Sequence, residues 1–341
     1  EKKDFQTLHA EGDKDIYTFN WLDDGRLIYM LSEDKHYGVG MMALDVANLS
    51  SSFSLLQYCG PRLIAIPEKN RLRPLVWMRF DMEDEQDRGV VEIDTDVRTP
   101  MFNLSRATAN DTDFRMQRDN NQRHVVRSFP TPPGIGLDYL ADGHGELAYA
   151  FYGKDGVITA YRYERNSWVA CPIDCDEIAV EDVGDNPGEL VVRGARQEGK
   201  PRPLELMTAA TGQPGAVLIQ DKAYDFNGWL VRDVRSRRIV GARYNRAGPT
   251  SVWFDEDYRA LQKTLEASFP KQVVQILDVD LSGRMLVETF SDRQPPIYHR
   301  VDLEKKMIGL NKNSAPWFDT ARMRAVWQPT ATRSTIARAP T

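Results

Sequence analysis

Cysteine is scarce in this sequence of 341 residues: there are three, Cys59, Cys171 and Cys175. An odd number leaves at least one thiol unpaired, so no disulfide framework holds the fold. Cys171 and Cys175 form a C-x-x-x-C (CPIDC), but structural zinc requires four ligands, usually Cys or His, and no second pair lies near. They read as ordinary buried or turn cysteines, with a local disulfide as the alternative. Histidine is also sparse. His9, His36, His124, His144 and His299 are scattered along the chain, a distribution that suggests no metal site. No run approaches the roughly 18 apolar residues of a membrane span, and no signal peptide is visible. Positive charge is in the minority, with 44 Lys and Arg against 50 Asp and Glu and a net charge of −6. Nucleic-acid binding needs clustered positive charge, so this balance argues against such a partner. The densest basic stretch, Arg232 to Arg238 (RDVRSRR), reads as a strand–turn edge where charge blocks edge pairing.

Catalytic motifs are missing as well. No Ser has Gly two residues before and two residues after it, so the G-x-S-x-G nucleophile elbow is absent. There is no H-E-x-x-H, no Walker loop and no EF-hand loop. The GIG at Gly134 to Gly136 follows Pro132-Pro133 and precedes a strand, which makes it a turn and not a phosphate loop. The sequence therefore assigns no catalytic residue, no metal ligand and no cofactor.

What the chain does contain is a recurring phrase. Thr18 to Asp45 and Gln275 to Asp302 both run apolar strand, Asp- and Gly-containing turn, Arg, apolar strand, charged turn, apolar strand ending in Asp. Val, Ile, Tyr, Phe and Trp occur in short alternating runs bounded by Gly, Asp, Asn or Pro almost throughout, the pattern of strands. A four-stranded antiparallel sheet cannot bury both faces alone, and repeated sheets of this kind build a β-propeller. Six units are visible. They span about Ile16–Gln57, Arg62–Leu104, His124–Asp174 and Glu177–Leu218, then a fifth from about Trp229 and a sixth over Val273–Leu310. At about 45 residues per blade, seven blades would fill the chain. The expectation is an all-β fold, a β-propeller of about seven four-stranded blades, with residues 1–9 as the last strand of a truncated first blade.

One segment breaks the rhythm. In residues 255–269 (DEDYRALQKTLEASF), Tyr258, Leu261, Leu265 and Phe269 share one face at helical spacing. Asp255 or Asp257 can cap the start, and Pro270 closes the helix. Polar candidates are few. Glu83, Asp84, Glu85 and Asp87 crowd one hairpin, and carboxylates at a propeller mouth can bind a peptide's charged amino terminus; the plain alternative is a solvated tip. The pairs Asp94/Asp96 and Asp280/Asp302 fall at turns, where Asp bonds its own backbone.

Phe254 to Asp319 resembles the last blades of the propeller in the prolyl oligopeptidase family, in its bacterial acylaminoacyl-peptidase or dipeptidyl-peptidase-like branch. The resemblance is carried by Phe254-Asp255-Glu256-Asp257, Leu261-Gln262, Asp280-Leu281-Ser282-Gly283, Ser291-Asp292, Pro296-Ile297-Tyr298 and Pro316-Trp317-Phe318. TFNWLDDGRLIYM is similar to an early blade of the same propellers. The resemblance implies that residues 1–315 form a propeller and 316–341 a linker toward a C-terminal α/β-hydrolase domain of the same parent chain, outside this sequence. That domain would carry a Ser-Asp-His triad, and the propeller would cap it and admit short peptides. The family's Arg-Asp-Gly at the junction is replaced by Arg333-Ser334-Thr335 or Arg338-Ala339-Pro340, so no triad residue is carried over. An exported member of the branch would be periplasmic, a cytoplasmic one not. Two other readings stand beside this one. One is a stand-alone propeller that binds a protein partner. The other is a propeller glycoside hydrolase with paired carboxylates, although no Ser-x-Asp-x-Gly-x-x-Trp repeat occurs.

Overall fold

The computed structural model describes residues 8, 10, 13–33, 36–48, 51–80, 87–99, 111–305 and 307–317. Among them the fold is an all-β propeller of six antiparallel sheets with two helices. The chain divides into two compact units, Glu1–Phe226 and Asn227–Thr341.

The first unit holds four sheets, each with its strands paired in sequence order. The first is β1 (Lys14–Trp21), β2 (Arg26–Glu33), β3 (His36–Asp45) and β4 (Phe53–Gln57). The second is β5 (Arg62–Ala65), β6 (Leu75–Arg79), β7 (Arg88–Ile93) and β8 (Val125–Ser128), with helix α1 (Asp111–His124) between β7 and β8. The third is β9 (Ile135–Ala141), β10 (Leu147–Lys154), β11 (Val157–Glu164) and β12 (Ser167–Ala170). The fourth is β13 (Ala179–Val183), β14 (Glu189–Arg193), β15 (Leu204–Thr208) and β16 (Gln213–Ile219).

Strands β2 and β3 read as unbroken apolar runs because both faces of their sheet are covered, unlike a sheet with one face in water. Ile28, Met30, Met41 and Ala43 pack against Val76, Met78, Val91 and Ile93 of the second sheet. On the opposite face Tyr29, Leu31, Met42 and Leu44 form a separate buried group. Further clusters join the second sheet to the third through Leu75, Val90, Tyr139 and Tyr152, and the third to the fourth through Tyr149, Ala160, Leu190 and Val192. Each fully buried Leu, Val or Met contributes ~1.5–3 kcal/mol, so stacking the sheets, rather than pairing the strands, stabilises the unit.

The second unit holds a three-stranded sheet of β17 (Gly228–Arg232), β18 (Ile239–Asn245) and β19 (Pro249–Trp253), then helix α2 (Glu256–Ser268). A four-stranded sheet follows: β20 (Val273–Val279), β21 (Arg284–Ser291), β22 (Gln294–Asp302) and β23 (Met307–Asn313). Helix α2 begins as its sequence predicts. The Asp255 carboxylate accepts from the backbone N–H groups of Asp257 and Tyr258, satisfying donors that a helix start leaves open. Its apolar face joins Val240, Trp253, Val274, Ile276 and Val287 in one core shared by both sheets.

Two boundaries differ from the sequence reading. The second unit of the pattern does not end near Leu104, and the third does not begin at His124. Val125–Ser128 pairs with β7 and closes the second sheet, with α1 intervening. Among the described residues the fifth sheet has three strands, not four. Residues 1–7 and 9, expected to end a truncated blade, and 318–341 of the expected linker lie outside the described residues.

Candidate functional site

The acidic hairpin residues Glu83, Asp84 and Glu85 lie outside the described residues. On either side of them, the Phe80 N–H donates to the Asp87 carbonyl at 2.9 Å, next to the paired ends of β6 and β7.

The remaining sequence candidates have structural duties. Asp94 accepts from the Asp96 N–H at 2.8 Å, the expected Asx turn. Asp96 pairs with Arg26, which also holds Asp45 at 2.8 Å, and Arg98 reaches Asp45 at 2.7 Å. The hydrogen bond from Arg98 and the charge of both arginines hold the Asp45 carboxyl below its ordinary value. Asp280 accepts from the Ser282 and Arg284 N–H groups at 2.8 and 2.9 Å, from the Ser282 hydroxyl, and from Arg284 Nε. These donors hold its carboxyl well below the usual range. Asp302 accepts from the Lys305 N–H at 3.0 Å. All three cysteines are free thiols, so the local disulfide between Cys171 and Cys175 does not form, and burial pushes the Cys59 thiol up to about 12. Gly134 has φ 113° and serves as the turn its sequence suggests. His144 pairs with Glu68 at 2.8 Å, while His299 bonds Thr289 at 2.9 Å. Among the described residues no three His, Cys, Asp or Glu side chains gather as a metal site.

Helix α1 escaped the sequence reading. Its buried face is polar: Gln117, Asn121 and His124 are 1, 4 and 0% exposed. Asn121 exchanges two hydrogen bonds with the Gln57 backbone, at 3.0 and 2.9 Å, and Gln117 Nε2 donates to the same carbonyl. His124 bonds the Thr99 hydroxyl through Nε2 at 3.0 Å and the Asp94 carbonyl through Nδ1 at 3.2 Å. The spacing of 117, 121 and 124 is helical, and that was the available signal.

The surface that stands out belongs to the first strand of several sheets. Tyr17, Phe19 and Trp21 on β1, and Ile135 and Leu137 on β9, are 40–60% exposed. These are edge strands, which soluble proteins ordinarily protect with charge or Pro. In the first unit β9 lies against both β5 and β13, so the first strands of the second, third and fourth sheets converge. Arg62 of β5 pairs with Asp138 of β9 and lies 4.6 Å over the Trp77 ring. Trp77 in turn meets Tyr139 edge-on at 5.7 Å, and Tyr139 meets Tyr152 at 6.0 Å. The exposed Ile135 and Leu137 thus share β9 with Tyr139 of this aromatic cluster.

No family model matches the chain, and no curated protein matches it. Solved structures do. A prolyl endopeptidase aligns with a TM-score of 0.43 at 10% identity, over 89% of this chain and 42% of its own. The acylaminoacyl peptidase of Pyrococcus horikoshii aligns at 0.44 and 10%, over 86% and 44%. Oligopeptidase B of Leishmania major aligns at 0.45 and 10%, over 92% and 43%. The chain spans less than half the length of each of these three proteins.

Proposed function

We propose that this chain is the non-catalytic propeller of a prolyl-oligopeptidase-type serine peptidase. In this reading residues 1–315 form the propeller, 316–341 lead to an α/β-hydrolase domain that carries the nucleophile, and the propeller caps that domain's cleft and admits short peptides. The observation that carries the reading is helix α2. The Phe254-Asp255-Glu256-Asp257 and Leu261-Gln262 signature, which resembles that family, forms a capped helix seated between two sheets. Gln262 Nε2 donates to the Val274 carbonyl at 2.9 Å, the Tyr258 hydroxyl donates to Asp233 at 2.8 Å, and Tyr258 stacks on Trp253 at 5.1 Å. A propeller sheet does not need this insertion to close its core, so its presence supports kinship with propellers that carry one. Capping is a matter of access and not of chemistry, in line with the role of lids and domain closure in other enzymes.

Within this reading Glu83, Asp84 and Glu85 receive the charged amino terminus of a peptide, and the exposed first strands hold its extended backbone. The first test is to read the parent gene beyond the Thr341 codon. A G-x-S-x-G followed by Asp and then His, within the roughly 250 residues of a large single domain, supports the peptidase reading, and a stop codon there overturns it in favour of a stand-alone binding propeller. The second is calorimetry with short peptides bearing a free amine. The triple variant Glu83→Gln, Asp84→Asn, Glu85→Gln is expected to weaken binding about tenfold, with N-acetylated peptides unaffected; equal affinities for wild type and variant would remove these residues from the site.

A further inference from the structure

We infer that the face of the last sheet turned away from helix α2 pairs with the same face of a second copy of this chain, as a weak symmetric dimer. The two faces of β20–β23 are unlike. On one, Val274, Ile276, Met285, Val287 and Val301 are buried in the core that includes the apolar side of α2. The other carries Asp278, Arg284, Arg300 and Met307, all exposed, around a half-buried Leu286. An open depression of about 400 Å³ lies over it, lined by Asp278, Asp280, Arg284, Leu286 and Arg300 among others, so a partner can reach these side chains. The first sheet, by contrast, is covered on both faces.

Charge complementarity selects the partner. Asp278, Leu286 and Arg300 stand directly opposite one another on β20, β21 and β22, so one row reads carboxylate, apolar centre, guanidinium. Among the described residues Arg300 has no hydrogen-bond or ion-pair partner, and Asp278 accepts only from the neighbouring Val279 N–H, at 2.8 Å. Two unpaired charges of opposite sign thus flank Leu286 on adjoining strands, each ~4.8 Å away. Turning a second copy by 180° about an axis along β21 sets Asp278 over the partner's Arg300 and Arg300 over the partner's Asp278. The two Leu286 side chains meet at the axis. This is an isologous contact, and the rotation keeps the strands aligned, as stacked sheets prefer. In the next row Arg284 bonds Asp280 at 2.7 Å and stands opposite Asp302, so guanidiniums and carboxylates of both copies alternate there as well. Four strands of seven to nine residues present ~450 Å² per copy at ordinary strand spacing and rise. The pair then buries ~900 Å², less than stable interfaces do, so the dimer forms only at high concentration.

The test is sedimentation velocity on the full chain of 341 residues, from micromolar to hundreds of micromolar. Wild type should pass from monomer to dimer as concentration rises, and added salt should weaken the dimer by screening its exposed charges. Asp278→Arg alone, or Arg300→Asp alone, places like charges face to face and should raise the dissociation constant at least tenfold. The double variant exchanges the two charges and should return the constant to near the wild-type value. Both positions are exposed, so unfolding midpoints measured at low concentration should stay in place, which shows that each variant folds. A wild type that remains monomeric throughout, or a dimer indifferent to both reversals, would overturn the inference. So would a monomer whose midpoint falls with either single reversal, since the face would then be packed against another segment of the same chain. The inference rests on the last sheet alone, and its failure would leave the proposed function untouched.

Discussion

At the scale of single residues, His124 makes the clearest prediction. It is 0% exposed, and its ring joins the Thr99 hydroxyl to the Asp94 carbonyl. Burial lowers its proton affinity below the ordinary value of 6.5, while the Asp94 carbonyl and charge oppose that shift without cancelling it. The unfolded chain therefore takes up a proton just below pH 6.5 and the folded chain does not. Stability is fully present above 6.5 and falls as the pH drops toward the folded value, at up to ~1.4 kcal/mol per pH unit for one group. Urea unfolding of wild type and His124→Gln should show the wild type more stable at pH 7.5 and the gap narrowing at pH 5.5. A gap that stays constant between the two pH values would mean that His124 titrates alike in both states.

At the scale of elements, the two helices divide what the sequence revealed from what it concealed. Helix α2 was legible because its buried face is apolar, with Tyr258, Leu261, Leu265 and Phe269 on the period that hydrophobic reasoning detects. Helix α1 was not, because its buried positions Gln117, Asn121 and His124 serve the Gln57 backbone and the Thr99 hydroxyl instead of an oil-like core. Overlooking α1 also misassigned β8, since a short VVRS after an unseen helix looks like the start of a new unit. The turns were legible for the opposite reason: Asp94 and Asp280 each bond backbone N–H groups within four residues, so their meaning is local. The exposed first-strand aromatics were illegible because alternation treats an apolar residue as buried. The cap of α2 provides the prediction at this scale. Asp255→Ala leaves two N–H groups without their acceptor and should cost about 0.5–2 kcal/mol, read as a lower denaturant midpoint at unchanged slope. Asp255→Asn should restore most of the loss, because it keeps the accepting oxygen; failure of that rescue would mean the residue acts through charge.

Across the whole molecule the same sheet is repeated, so its physics should repeat as well. In the first sheet the central strands β2 and β3 carry side chains at 0–7% exposure over Ile28 to Ser32 and Met41 to Leu44. In the fourth, Leu190, Val191 and Val192 are all at 0%. Their amides are paired on both sides or sealed by neighbouring sheets, and they can exchange with solvent only through large openings. Several first strands are edges with open side chains, Phe19 and Trp21 on β1, Ile135 on β9 and Trp229 on β17 among them, and edge strands can exchange by local fraying. Hydrogen exchange followed along the full chain should therefore oscillate with the sheet repeat: slow at the second strand of every sheet, fast at the first. The oscillation also tests the peptide surface. Adding a free-amine peptide that pairs with these edges should slow exchange on the first strands and leave the central strands, already near the global limit, unchanged. First strands as protected as β2 and β14 before any peptide is added would show that their edges are already covered. They would then be part of the core, and the proposed peptide surface would have to lie elsewhere on the blades.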